Sequence, residues 1–144
     1  VKLEDIFKEW DNDWDVNRAE LGYAALDIPK IHTKYYRILI DEKLRLKSMQ
    51  ADHDVLMLDK TEFYSGNNTK RHHDMGWELP DRGMILKGDM PAFLSADKDV
   101  IESNFKIAHQ QEKVKTVEAI IGMIKNRSYH ISAAIAWEKF KAGE

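Results

Sequence analysis

"PKIHTKYYRILIDEKLRLKSMQADHDVLMLDKTEFY", Pro29 to Tyr64, decides the fold. After Pro29 it holds neither glycine nor proline, so nothing in the chain itself ends a helix before Tyr64. Ile31, Tyr35, Leu39, Leu46, Met49, Leu56 and Phe63 recur on a heptad-like seam, the apolar stripe by which a helix packs on a neighbour. Glu42, His53 and Lys60 interrupt that seam as polar residues at apolar phases. At 1.5 Å per residue, about 35 residues predict a rod of roughly 50 Å.

Upstream, "LEDIFKEWDNDW" sets Leu3, Ile6, Phe7, Trp10 and Trp14 at helical spacing and predicts a short amphipathic helix. Asn17 followed by Glu20 has the form of a capping box opening a second helix, with Leu21, Ala24 and Ala25 along one side. Pro29 either kinks that helix or starts the next one, because it fixes φ and supplies no amide. Downstream, residues 65–94 contain four of the seven glycines and two of the three prolines, without a sustained period, which predicts a long loop. Ser95 then reads as the N-cap of a last helix, with Asp97 and Asp99 in its first turn. That helix carries the cleanest seam of all: Ile107, Val114, Val117, Ile121, Ile124, Ile131 and Ile135.

The expectation is an all-α chain forming a single helical domain. Residues 1–64 supply N-terminal helices and a long helix, 65–94 the loop, and 95–144 a C-terminal helix. Two long seams are more than a chain of 144 residues can cover from within. Ile120 and Met123 widen the last seam, and Trp137 and Phe140 extend it. An intramolecular hairpin is one solution, and a helical oligomer the favoured one, with Val114, Val117, Ile121, Ile124, Ile131 and Ile135 as the oligomerisation residues.

Composition narrows the function. An apolar content of 43% suffices for a core, and no run approaches the roughly 20 residues of a membrane span. With no charged-then-apolar leader either, a cytoplasmic protein away from membranes is expected. The absence of cysteine excludes disulfides, thiol catalysis and cysteine-type zinc sites. The net charge of −3 hides segmentation: residues 1–27 carry three bases against eight acids, and residues 28–48 carry six bases against two acids. A local basic face is implied rather than a basic protein.

One stretch carries candidate chemistry, "TEFYSGNNTKRHHDMGWELP", Thr61 to Pro80. It lacks the second glycine before Lys70 and the preceding strand that a phosphate loop needs. His72, His73 and Asp74 do not make a closed metal site, and the other histidines stand singly. No constellation of catalytic residues stands out, so no enzyme and no cofactor are expected. A nucleic-acid-binding loop remains, with Lys60, Lys70, Arg71, Arg82 and Lys87 for phosphates and Phe63, Tyr64 and Trp77 as stacking faces. An ordinary solvated loop packed down by its aromatics is the equal alternative.

Two short segments tip that balance. "FYSG", Phe63 to Gly66, and "LSADKDV", Leu94 to Val100, resemble the UvsY family of tailed-phage recombination mediators, as do the length and the ending "F-x-A-G" at Phe140 to Gly143. The resemblance implies a helical subunit in a ring-like oligomer, hexameric or heptameric, working in the host cytoplasm. It also implies binding to single-stranded DNA and loading of a RecA-like recombinase onto DNA covered by single-strand-binding protein. The family's basic pattern, Lys-x-Arg-Leu-Asp-Tyr-Tyr-Ser-Gly, stands here as "LDKTEFYSG", with Leu58 for the Lys and Lys60 for the Arg. One cation of two survives. Lys60 and Tyr64, with Lys70 and Arg71 beyond the turn, are therefore candidate DNA contacts, and so is the helix stripe Lys30, Lys34 and Arg37. A helical protein–protein adaptor without direct DNA binding is the alternative reading. A metal-dependent nuclease is a third.

Overall fold

The computed structural model describes residues 1–67 and 69–143; Asn68, in the Gly-Asn-Asn turn, and Glu144 lie outside the described residues. The elements are α1 (Leu3–Trp14), a 3₁₀ turn (Arg18–Glu20), α2 (Leu21–Tyr64), α3 (Lys70–Asp74), α4 (Met90–Ala96) and α5 (Lys98–Lys141). No strand occurs among the described residues. The all-α reading with two long helices stands, α2 and α5 each having 44 residues.

Pro29 lies inside α2, which runs on through it, so the proline opens no new helix. Thr33 Oγ1 donates back to the Pro29 carbonyl at 2.9 Å. Asn17 does cap, but it caps the 3₁₀ turn: its side chain accepts from the Ala19 amide at 3.0 Å. The stretch expected as a loop over 65–94 contains α3 and the start of α4. Ser95 sits within α4, and the cap of α5 is Asp97, whose Oδ1 accepts from the amides of Asp99 and Val100 at 2.9 and 3.1 Å. Pro91, at the start of α4, begins a helix earlier than the Ser95 reading allowed, and extended Asp97 then breaks the chain between α4 and α5.

The chain divides into two compact units, Val1–Leu44 with Gln111–Glu144, and Arg45–Gln110. The first is a three-helix bundle. Ile6 and Trp10 of α1, Tyr35 and Leu39 of α2, and Val114, Val117, Ile120, Ile121, Ile124 and Ile131 of α5 are its buried apolar residues. Trp10 meets Tyr35 edge-on at 5.5 Å. Lys34 Nζ reaches Glu9 and Asp13 of α1, at 2.5 and 2.7 Å, and the Tyr35 hydroxyl donates to Asp13 at 2.8 Å. Arg127, itself buried, donates to the carbonyls of Asp13 and Trp14, supplying a positive charge where the C-terminal end of α1 has unpaired carbonyls and no basic residue of its own. Glu42, 1% exposed, pairs with buried Lys113 at 3.5 Å.

This burial includes most of the residues expected to carry oligomerisation. Val114, Val117, Ile121, Ile124 and Ile131 are covered within one chain by α1 and α2, and Ile135 is half-buried. Each such side chain contributes about 1.5–3 kcal/mol by leaving water. Buried in this way, the seam stabilises the subunit.

In the second unit α2 ends in a Schellman arrangement. Gly66 at φ 96° takes the left-handed position, the Asn67 amide bonds to the Glu62 carbonyl at 3.0 Å, and the Gly66 amide bonds to Phe63 at 3.2 Å. Phe63 and Tyr64 then pack with Ile85 and Met90, flanked by Trp77, Leu79, Phe93 and Leu94. Thr69 and His72 form a capping box that opens α3. His53 meets Ser103 at 2.8 Å. The polar positions on the α2 seam are therefore partnered rungs rather than defects.

Candidate nucleic-acid interface

Lys60 and Tyr64 belong to one buried network. The Lys60 side chain is 4% exposed, with Nζ 3.1 Å from Asp97, 2.8 Å from Asp99 and 3.7 Å from the centroid of the Trp77 ring. The Tyr64 hydroxyl donates to Asp97 Oδ2 at 2.6 Å. Burial alone would raise the Asp97 carboxyl, but bonds from Tyr64, the Val100 amide and Lys60 outweigh it and hold it below the usual carboxylate range. Burial and the same carboxylate push the Tyr64 phenol well above its ordinary value.

Lys60 and Tyr64, both expected as DNA contacts, are thus held in a network within the chain. The Lys60 ammonium is paired with two carboxylates and covered by an indole. Phe63 and Trp77 are likewise core rings. Phe63 is buried, and Trp77 stacks on His72 at 5.0 Å with an interplanar angle of 16°. His72 is also committed: Nδ1 accepts from the Thr69 amide and Nε2 lies 3.3 Å from Asp59. Among the described residues, no group of three or more His, Cys, Asp or Glu side chains is arranged to hold a metal ion.

Lys70 and Arg71 are exposed on α3. Arg71 grips Asp59 with both terminal nitrogens, one of them at 2.9 Å, and this guanidinium holds the Asp59 carboxyl below its ordinary range. Arg82 is tied to Asp89 at 2.6 Å. Lys70 and Lys87 hold no ion pair among the described residues.

On α2, Lys34 is occupied by Glu9 and Asp13, so one member of the predicted stripe is spent on holding α1. Lys30 and Arg37 are exposed and, among the described residues, unpaired. Pro29, Lys30, Thr33, Lys34 and Arg37 line an open hollow of about 410 Å³. Beside it Tyr36, 50% exposed, stacks on His32 with ring centroids 6.1 Å apart and planes 11° from parallel. Sequence reasoning passed over this ring. The signal was an aromatic pair at i, i+4 spacing, flanking the apolar seam on a helix that also carries cations.

Residues 9–144 match the family described as "Recombination, repair and ssDNA binding protein UvsY". Over 144 residues, all of both chains, the sequence is 24% identical to recombination protein uvsY of Enterobacteria phage T4. The fold is similar to crystal structures of the bacteriophage T4 recombination mediator protein UvsY. For lattice type II the TM-score is 0.83 at 22% identity, covering 99% of this chain and 98% of that one. For lattice type IV it is 0.80 at 20% identity, covering 98% and 99%.

Proposed function

This chain belongs to the UvsY family of recombination and repair proteins, and on that premise we propose that it binds single-stranded DNA and loads a RecA-like recombinase onto DNA covered by single-strand-binding protein. The observation that carries the reading is the family match across nearly the whole chain. The exposed α2 face supports it with chemistry. Lys30 and Arg37 attract phosphates and Tyr36 offers a stacking surface, while Lys70 on α3 adds a separate cation.

Contacts of this kind are few per subunit and weak alone. Repeated around a homo-oligomer they act at high effective concentration, which raises affinity by up to ~10²–10⁴. A strand held by its backbone at spaced points is organised without base selection, and the hold of a competing binding protein on it is weakened. The recombinase then supplies the ATP chemistry. The setting is the host cytoplasm, and no helix among the described residues is long and apolar enough to cross a membrane.

The test is a salt titration of oligonucleotide binding. Each neutralised phosphate contributes about −0.7 to the log–log slope for a single strand, so an assembly with several contacts gives a slope of several units. A flat response refutes direct DNA binding and leaves the protein–protein adaptor. Loading is read separately, as faster onset of recombinase ATPase on single strands coated with single-strand-binding protein.

A further inference from the structure

Arg127 is 5% exposed, and among the described residues no carboxylate pairs with it. Its acceptors are the carbonyls of Asp13, Trp14 and Asp15, at 2.6, 3.0 and 3.4 Å. Carbonyls at a helix end offer only partial negative charge, so the guanidinium stays largely uncompensated. Those bonds all come from Nη1 and Nη2. Nε takes part in none of them, yet no buried side-chain nitrogen among the described residues lacks a partner. Nε therefore opens on accessible space as a free donor of a buried cation.

Arg127 lines a cleft of about 310 Å³ in the first unit, at the C-terminal end of α1. Trp14, Leu21, Ile131 and Ala134 give it apolar walls, and the Trp14 ring lies 5.9 Å from Arg127 Cζ. Arg18 and His130 also stand on it, both exposed and without a hydrogen bond or ion pair among the described residues. Asp15 is its one acid. Apolar walls with two arginines call for a ligand that joins an apolar group to a single negative charge. The cleft is at the small end of ligand-sized pockets, roughly 300–1,000 Å³, and suits one residue better than a long segment. The last residue of a polypeptide meets both demands, because its side chain and its carboxylate leave the same Cα. A DNA strand meets them poorly. It brings a charge with every nucleotide, and Arg127 also lines a second hollow where Asp15, Glu20 and Asp27 are unpaired among the described residues.

We infer that this cleft receives the C-terminal residue of a partner protein, its apolar side chain against Trp14 and Ile131 and its carboxylate toward Arg18 and Arg127. Arg127 is fixed by its carbonyls and supplies a standing field, while exposed Arg18 is free to close on the carboxylate with both arms of its fork. The cleft shares no residue with the face formed by Lys30, Tyr36 and Arg37, so the inference does not rest on the DNA-binding reading.

The probes are fluorescein-labelled hexapeptides ending in Leu, Ile or Phe, each made with a free terminal carboxylate and with a terminal amide. The full-length protein is titrated into each and anisotropy is read. At least one free acid is expected to bind saturably, and its amide about tenfold or more weakly. Arg18→Gln is expected to weaken the free acid by about tenfold and to leave the amide unchanged, and Ala134→Trp, which fills the cleft, to abolish binding. Circular dichroism checks helicity, and because Arg18 is exposed its variant tests the cleft even where the added indole disturbs packing. Both variants are expected to bind labelled oligothymidylate as the wild type does. No saturable binding by any free acid overturns the inference, as does equal binding of acid and amide, or free-acid binding that survives both variants. Oligothymidylate affinity lost in Arg18→Gln at unchanged peptide binding would assign the cleft to DNA, and a fall in oligomer mass without peptide binding would assign it to a second copy; either result overturns the inference.

Discussion

Lys60→Ala separates a structural lysine from a DNA-binding one. The substitution leaves the Asp97 carboxylate buried without its cation and removes the ammonium from the Trp77 ring. Breaking a buried pair from one side costs about 3–5 kcal/mol. Asp97 keeps three donors, the Tyr64 hydroxyl and the Asp99 and Val100 amides, and the other partner, Asp99, is half exposed. The loss is therefore expected at the low end, about 3 kcal/mol, which for a chain of this size lowers Tm by about 6–12 °C. The assay is paired. Thermal unfolding followed by circular dichroism gives Tm, and anisotropy with a labelled oligonucleotide, well below the mutant Tm, gives affinity and salt slope. Affinity and slope per folded protein are expected to stay at wild-type values. An unchanged Tm with a slope shallower by about 0.7 would show that Lys60 meets a phosphate, and would refute the buried network as its role.

Lys30→Ala with Arg37→Ala should flatten the salt slope by about 1.4 while leaving helicity intact, and Tyr36→Ala should weaken binding by about 1–3 kcal/mol without altering the slope. Ile124→Ala should cost about 2–5 kcal/mol in the chemical denaturation of the subunit, because the side chain has no exposure within a single chain; dissociation of an oligomer at unchanged subunit stability would contradict that. The Asp97 carboxyl lies below its unfolded value of about 3.9, so its contribution is present above that pH and is lost as pH falls through the lower folded value. Asp97→Asn should accordingly lower stability at neutral pH and flatten the acid limb of a stability–pH curve, and an unchanged acid limb would count against the role given to Asp97.

Periodicity made the helices legible, and it identified nearly every buried apolar position on α5, though not buried Gln110, Lys113 or Arg127. It did not show what covers them, because a seam facing α1 and α2 of the same chain has the same spacing as one facing another subunit. Glu42 and Lys60 read as interruptions of a stripe. Their partners, Lys113 and Asp97, are remote in sequence, so only the folded chain shows each pair closing. Ser95 and Asp97 are both good capping residues, and the choice between them rests on Pro91 having already begun a helix. Tyr64 and Trp77 were the hardest to read. Aromatic rings beside cations have one composition whether they stack on bases or close a small core, and the burial of Ile85 and Met90 against them decides for the core. Lys34 and Arg37 share a helix face in the sequence, yet acidic α1 claims only the first of them.

The polar rungs also restrict how the molecule moves. Sliding α5 along α2 by one turn, 5.4 Å, would carry Lys113 away from Glu42 in the first unit and Asp97 away from Lys60 in the second, stranding buried charge in each. Apolar helices tolerate such slippage, because one leucine replaces another at little loss. Here the penalty opposes shear within either unit and favours a stiff block with its cations at set spacings. On the proposed function, a strand laid across such a block would take its geometry from the protein rather than impose one on it.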